Sequence, residues 1–148
     1  MIAAVREFLR LFEEATPDEE RTPERLSERL DRLLVAYHES PDFAPQSHVL
    51  APSRDFRDDR RLMEARFPDF GYYAWCEPGE LLSDDVMVGD AIDDLADIYS
   101  ELRGVMWLLE NSSQSDAVWH FRFGYRTHWG RHLLDLRSYL HWKLHEAP

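Results

Sequence analysis

One cysteine, one lysine and no long apolar run mark this sequence of 148 residues. The lone Cys76 excludes a disulfide within the chain, and no motif of a thiol nucleophile accompanies it, so it reads as a buried, inert thiol. No stretch approaches the roughly 18–20 apolar residues that a membrane span requires. Arg6, Glu7 and Arg10 interrupt the first hydrophobic stretch, and no secretory n-region and h-region precede it, so the expected location is the cytoplasm. There is no glycine-rich phosphate loop, no GxSxG and no HExxH, which removes three common routes to nucleotide, ester and peptide chemistry. Bases are also scarce, 17 against 29 acids, for a net charge of −12. That charge repels phosphate backbones and anionic lipid, so neither nucleic acid nor membrane is an expected partner.

Helical periodicity is what the sequence has in abundance. The length suits a single domain over residues 1–148, and such a chain buries about 68–70% of its unfolded surface without disulfide or metal staples. Ile2, Val5, Leu9 and Phe12 mark a first helix ending before Thr16 and Pro17. Thr22 as N-cap and Pro23 at the first helical position open a second, with Leu26, Leu30, Leu33 and Tyr37 on one stripe. Pro41, Pro45 and Pro52 then predict a loop, and Ser53 a cap for a short third helix bearing Phe56, Met63 and Phe67. Residues 68–89 read as an ordered loop, punctuated by Gly71, Pro78 and Gly79, whose rings at Phe70, Tyr72, Tyr73 and Trp75 cover one end of the bundle. A helix near residues 90–110 and a last helix from about Asp116 to about His145 follow, with a kink or break possible at Gly124 or Gly130. Short connections favour antiparallel neighbours. The expected fold is an all-α, four- to five-helix antiparallel bundle with a Pro/Gly/aromatic-rich loop before its last two helices.

Charge is concentrated in one place. Residues 77–101 hold nine acids and no base. On the helix that follows, Asp90, Asp94, Asp97 and Glu101 fall on roughly the opposite side from the apolar stripe centred near Leu95 and Tyr99, with Asp93 at the flank. Such a stripe is a solvated face, helped by the helix dipole at Asp90, Asp93 and Asp94, or else a docking or cation-binding surface.

The last helix carries five of the seven histidines. His132 falls within its buried stripe, and His128 and Asp135 lie at the margin, at spacings of four and three that let all three converge. Two imidazoles and a carboxylate can hold Zn²⁺, Fe²⁺ or Mn²⁺ if another element adds ligands, with Asp93 or Asp97 as the candidates. The competing reading is a hydrogen-bonded structural network. Arg122, also near the buried stripe, needs an acidic partner, and Asp93 and Asp97 are the natural choices. Charge pairing across the last two helices would then fix their register.

The string from Val88 to Tyr99, VGDAIDDLADIY, followed by Trp119 to Phe123 and by His128 to His132, resembles the uncharacterised bacterial family called domain of unknown function 5063. Phe67 to Tyr73 is similar to that family's pattern too, and the resemblance spans about residues 60–145. It implies a small helical fold and carries over no catalytic residues; His120 stands where the pattern leads one to expect an acid.

The first functional reading is a non-enzymatic interaction module whose acidic face, Asp90, Asp93, Asp94, Asp97 and Glu101 with Arg122, docks a basic protein. The alternative is a metal-binding protein or metal-dependent hydrolase using His128, His132 and Asp135 with Asp93 or Asp97 and a divalent ion. A third, an inhibitor whose acidic surface mimics nucleic acid, has less in the sequence to carry it.

Overall fold

Capping residues set where the helices begin. In the computed structural model, which describes residues 1–77, 79 and 87–147, the Thr22 hydroxyl accepts from the Arg25 amide at 3.2 Å and Pro23 opens the helix behind it. The third helix is capped by Asp55, which accepts from the Arg57 amide at 2.9 Å, two residues beyond the Ser53 that the sequence suggested. Asp90 accepts from the Ile92 amide at 3.0 Å, and Ser113 from that of Asp116 at 3.1 Å. The resulting order is α1 (Ile2–Arg10), α2 (Pro23–Glu39), α3 (Phe56–Arg66), β1 (Tyr72–Trp75), β2 (Met87–Asp90), α4 (Ala91–Asn111), α5 (Gln114–Thr127) and α6 (Trp129–His145). Pro78 and the acids Glu80, Asp84 and Asp85, which the sequence reading used, lie outside the described residues.

Two expectations change. The last helix is two, α5 and α6, separated at His128, whose φ of −149° and ψ of −86° leave the helical region. The described residues therefore hold six α-helices where four or five were expected. The aromatic loop also contains a sheet: β1 and β2 pair antiparallel, with Tyr72 opposite Asp90 and Tyr73 opposite Gly89. Each strand is only four residues long, too short for alternation to register in a sequence.

Helix α4 runs through the middle, packed against α1 and α3 on one side and α5 and α6 on the other, while α2 closes on α1, α5 and α6. Ala91, Ile92, Leu95, Ala96, Ile98, Tyr99, Leu102, Val105 and Leu108 are all buried, which leaves α4 little solvent face. The core continues through Phe8, Leu30, Met63, Phe121, Leu133 and Leu136, and through Trp129, wedged against Phe121 and Tyr125 with ring centroids 5.0 and 5.1 Å away.

The connection over residues 41–55 is held by α5. Asp116, buried, accepts the Gln46 amide at 2.6 Å and the Ser47 amide at 3.0 Å, and the hydroxyls of Ser47, Ser112 and Ser113, which hold its carboxyl far below the usual carboxylate range. Arg122 donates to the carbonyl oxygens of Tyr37 and Ser40 at 2.8 and 2.7 Å, stacks on the Tyr37 ring and lies 3.4 Å from Asp42. Its partners are thus the end of α2 and the following loop, in place of the expected Asp93 or Asp97. Cys76 is exposed, contrary to the buried thiol expected of it. No helix among the described residues is long and apolar enough to cross a membrane.

Candidate metal centre

Asp94, Asp97 and Glu101 stand at i, i+3 and i+7 on α4 and so share one stripe. That stripe faces α6 and the α5–α6 junction. The side chains of Asp94, Asp97 and Glu101 retain only 10%, 25% and 25% of their exposure, so the carboxylates expected on an open face lie largely inside a helix–helix interface. Asp93 is the more exposed acid, and it and Asp90 are bridged by Arg60 of α3.

Histidines from the facing elements alternate with these carboxylates. The His132 Nδ1 lies 2.7 Å from Asp94 Oδ1, and its Nε2 3.5 Å from Asp97 Oδ2. His128 repeats the pattern, Nδ1 3.0 Å from Glu101 Oε1 and Nε2 4.0 Å from Asp97 Oδ1. His120 of α5 places Nε2 3.3 Å from the other Glu101 oxygen, and the Tyr73 hydroxyl of β1 donates to Asp94 Oδ2. An ionised carboxylate only accepts, so the Nδ1 of His132 and of His128 carries a proton, and the Nε2 of each is turned toward Asp97.

The environment sets the charges. The hydrogen bond to Asp94 raises the pKa of His132, outweighing its partial burial, and Asp97 and Asp94 add to the rise. Hydrogen bonds from His120 and His128 lower that of Glu101 against the cost of burial. Asp97 goes the other way: burial raises its pKa, offset by the neighbouring His132 and His128. Burial and the Asp94 carboxylate push the Tyr73 hydroxyl upward, which keeps it a donor.

One nitrogen each from His128 and His132 and one oxygen from Asp97 lie within 4.8 Å of one another. An ion held at about 2.1 Å separates its donor atoms by about 3.0–3.5 Å, so closure takes side-chain adjustments of about an ångström or less. The set is two imidazoles and a carboxylate, suited to Zn²⁺, Fe²⁺ or Mn²⁺. Behind it, Asp94 and Glu101 occupy the outer positions that orient metal-bound histidines and make them more basic. The His128 side chain is 45% exposed and those of Asp97 and His132 about a quarter, so the cluster lies at the edge of the helix interface.

Of the residues singled out in the sequence, Asp94, Asp97, Glu101, His128 and His132 come together. Asp135 does not join them: it accepts from Arg131 at 2.8 Å, and Arg131 also stacks on Trp75. The expected convergence assumed a continuous helix, and the break at His128 removes that residue from the register of His132 and Asp135. Tyr73 and His120 are additions. His120 stands where the family's pattern led one to expect an acid, and Glu101 is the carboxylate it meets.

No curated protein matches this chain. In solved structures the fold is similar to that in the crystal structure of protein BF1032 from Bacteroides fragilis, with a TM-score of 0.70 at 14% identity, over 99% of this chain and 91% of that one. At that identity the likeness is one of fold. The sequence model described as domain of unknown function (DUF5063) matches residues 1–146, which extends the resemblance seen in the C-terminal half through α1 and α2, and the chain belongs to that family.

Proposed function

We propose that the protein binds one divalent transition-metal ion through Asp97 Oδ, His128 Nε2 and His132 Nε2, with Asp94 and Glu101 as the outer carboxylates. The observation that carries this reading is the shared orientation of the two imidazoles: each spends Nδ1 on an outer carboxylate and turns Nε2 toward Asp97. An imidazolium ring that donates from both nitrogens makes the same contacts, so metal content and thermal shift are what separate the two readings.

The charges are compatible. Asp94, Asp97 and Glu101 bring three carboxyl groups to the place where a divalent ion would sit, which offsets its charge in a partly buried cluster where uncompensated charge is costly. On the side beside His128 a bound ion keeps positions for water, whose acidity it would raise, and that is the requirement of a metal-dependent hydrolase.

The docking of a basic protein on the acidic helix is less well supported, because Asp94, Asp97 and Glu101 are already engaged by His132, His128, His120 and Tyr73, and Asp90 and Asp93 by Arg60.

Elemental analysis and thermal shift on protein without a histidine tag test the reading. At a hundred-fold excess of Zn²⁺ or Mn²⁺ over Kd, binding stabilises by about 2.7 kcal/mol, which at this chain length is about 5–11 °C in Tm. Less than a tenth of an equivalent of metal on purification, with no shift on adding either ion, would remove the reading.

A further inference from the structure

The two outer carboxylates are each held by a second donor: Glu101 by His120, and Asp94 by Tyr73. The second arrangement is the less expected, because Tyr73 belongs to the β-hairpin, outside the helices that carry the centre. Asp94 uses one oxygen for the Tyr73 hydroxyl and the other for His132 Nδ1, so its carboxyl group cannot turn without losing one of them.

The hairpin is built to deliver that hydroxyl. Tyr73 pairs directly across from Gly89, and its ring packs against Tyr139 of α6, centroids 5.4 Å apart. A Cβ on residue 89 would overlap the Tyr73 ring and stand 2.8 Å from its hydroxyl oxygen. Gly89 has no positive φ, so its backbone conformation does not call for glycine. The space taken by the Tyr73 ring does. Strand β2 then runs directly into α4, with Asp90 as its cap and the Ala91 amide donating to the Gly71 carbonyl at 3.2 Å, so hairpin and carboxylate stripe are one mechanical unit.

We propose that Tyr73 is a positioning residue of the metal centre, acting through Asp94 to fix the His132 ring with Nε2 toward Asp97, and that Gly89 is the slot that lets it reach. The hairpin thereby becomes the clamp on one of the two histidine ligands. This rests on the metal reading above. An outer-shell partner of this kind changes metal affinity about 10–100-fold when lost. Tyr73 acts at one further remove, so the lower end applies.

The test is Co²⁺ affinity, by competition with a chromophoric chelator, together with the Co²⁺ absorption spectrum, in the full chain and in Tyr73→Phe, Asp94→Ala and the double variant. Tyr73→Phe keeps the ring on Tyr139 and is expected to weaken binding about 10-fold with a changed spectrum. The double variant is expected to bind no more weakly than Asp94→Ala alone, because the two act in series. Gly89→Ala, which displaces the ring, is expected to follow Tyr73→Phe. Unchanged affinity and spectrum in Tyr73→Phe, with Asp94→Ala weakened, overturns the role of Tyr73 and leaves the metal reading standing, as does an additive double variant. A parent protein that binds no Co²⁺ overturns both.

Discussion

Gly104 and Gly130 predict opposite responses to the same substitution. Gly104 is in the interior of α4, without a positive φ, where glycine costs about 1 kcal/mol relative to alanine. A Cβ there would meet the Ala51 Cβ at 3.6 Å and His120 Nε2 at 3.7 Å, ordinary contact distances. Gly104→Ala therefore stabilises by about 0.5–1 kcal/mol, or about 1–4 °C in Tm for a domain of this length. Gly130 sits in the first turn of α6, where its Cβ would drive into the Tyr125 carbonyl oxygen and stand 2.9 Å from the ring carbon Cδ2 of the same residue. A backbone carbonyl cannot rotate aside as a side-chain tip can, so Gly130→Ala forces the α5–α6 junction apart. Overpacking of that kind costs about 1–3 kcal/mol. It also displaces His128, two residues before it, so metal affinity should fall along with stability. Urea unfolding of both variants with metal-free protein is the assay. A Gly130→Ala midpoint equal to or above that of the parent, or a destabilised Gly104→Ala, would refute the packing argument.

Further predictions follow from the same contacts. In metal-free protein the raised pKa of His132 means the native state binds the more protons; its contribution is complete below the unfolded value of about 6.5 and is lost as pH rises through the folded pKa. The urea midpoint should therefore fall across that window and flatten in His132→Gln; a rise there in the parent would be inconsistent with the Asp94 contact. Glu101, its pKa lowered, contributes above its unfolded value of about 4.3, and that contribution disappears on acidification through the folded pKa, so Glu101→Gln should blunt the acid limb of the same curve. Asp94→Ala strands both the Tyr73 hydroxyl and His132 Nδ1–H and should cost about 1.5–3 kcal/mol in urea unfolding. Arg122→Met removes the donors that tie the end of α2 to α5, so limited proteolysis should cut within residues 41–55 sooner than in the parent; an unchanged rate would show that Asp116 alone holds the segment.

Much of the fold was legible because helix starts are written in local chemistry: Thr22 with Pro23, and an apolar stripe of three- and four-residue steps in α4. The break between α5 and α6 was legible only as an interruption at Gly124 or Gly130, since the apolar positions Val118, Phe121, Tyr125 and Trp129 keep helical spacing up to the junction. Gly130 hinted at it, but only the clash with the Tyr125 carbonyl shows why glycine is needed there. The acids of α4 were placed correctly on their helix and wrongly in their surroundings. A stripe opposite the apolar centre is solvated only when one side of a helix has neighbours, and α4 has them on both. Asp97 was recognisable as a candidate ligand, whereas the place given to Asp135 beside His128 assumed a helix running unbroken through residue 128. Tyr73 could not be found from periodicity, because its role depends on a pairing with Gly89 across a long connection.

The central claim is that Asp97, His128 and His132 form one metal site, and calorimetric titration of Zn²⁺ into untagged protein and its variants tests it most directly. His141 and His145, an exposed pair near the end of α6 with ring centroids 5.0 Å apart, provide the internal control. The account predicts one ion per chain, binding lost in Asp97→Ala and in His132→Ala, and binding retained when His141 and His145 are both replaced by alanine. Absence of binding in the parent, or binding that survives Asp97→Ala and His132→Ala and disappears with His141 and His145, would contradict it.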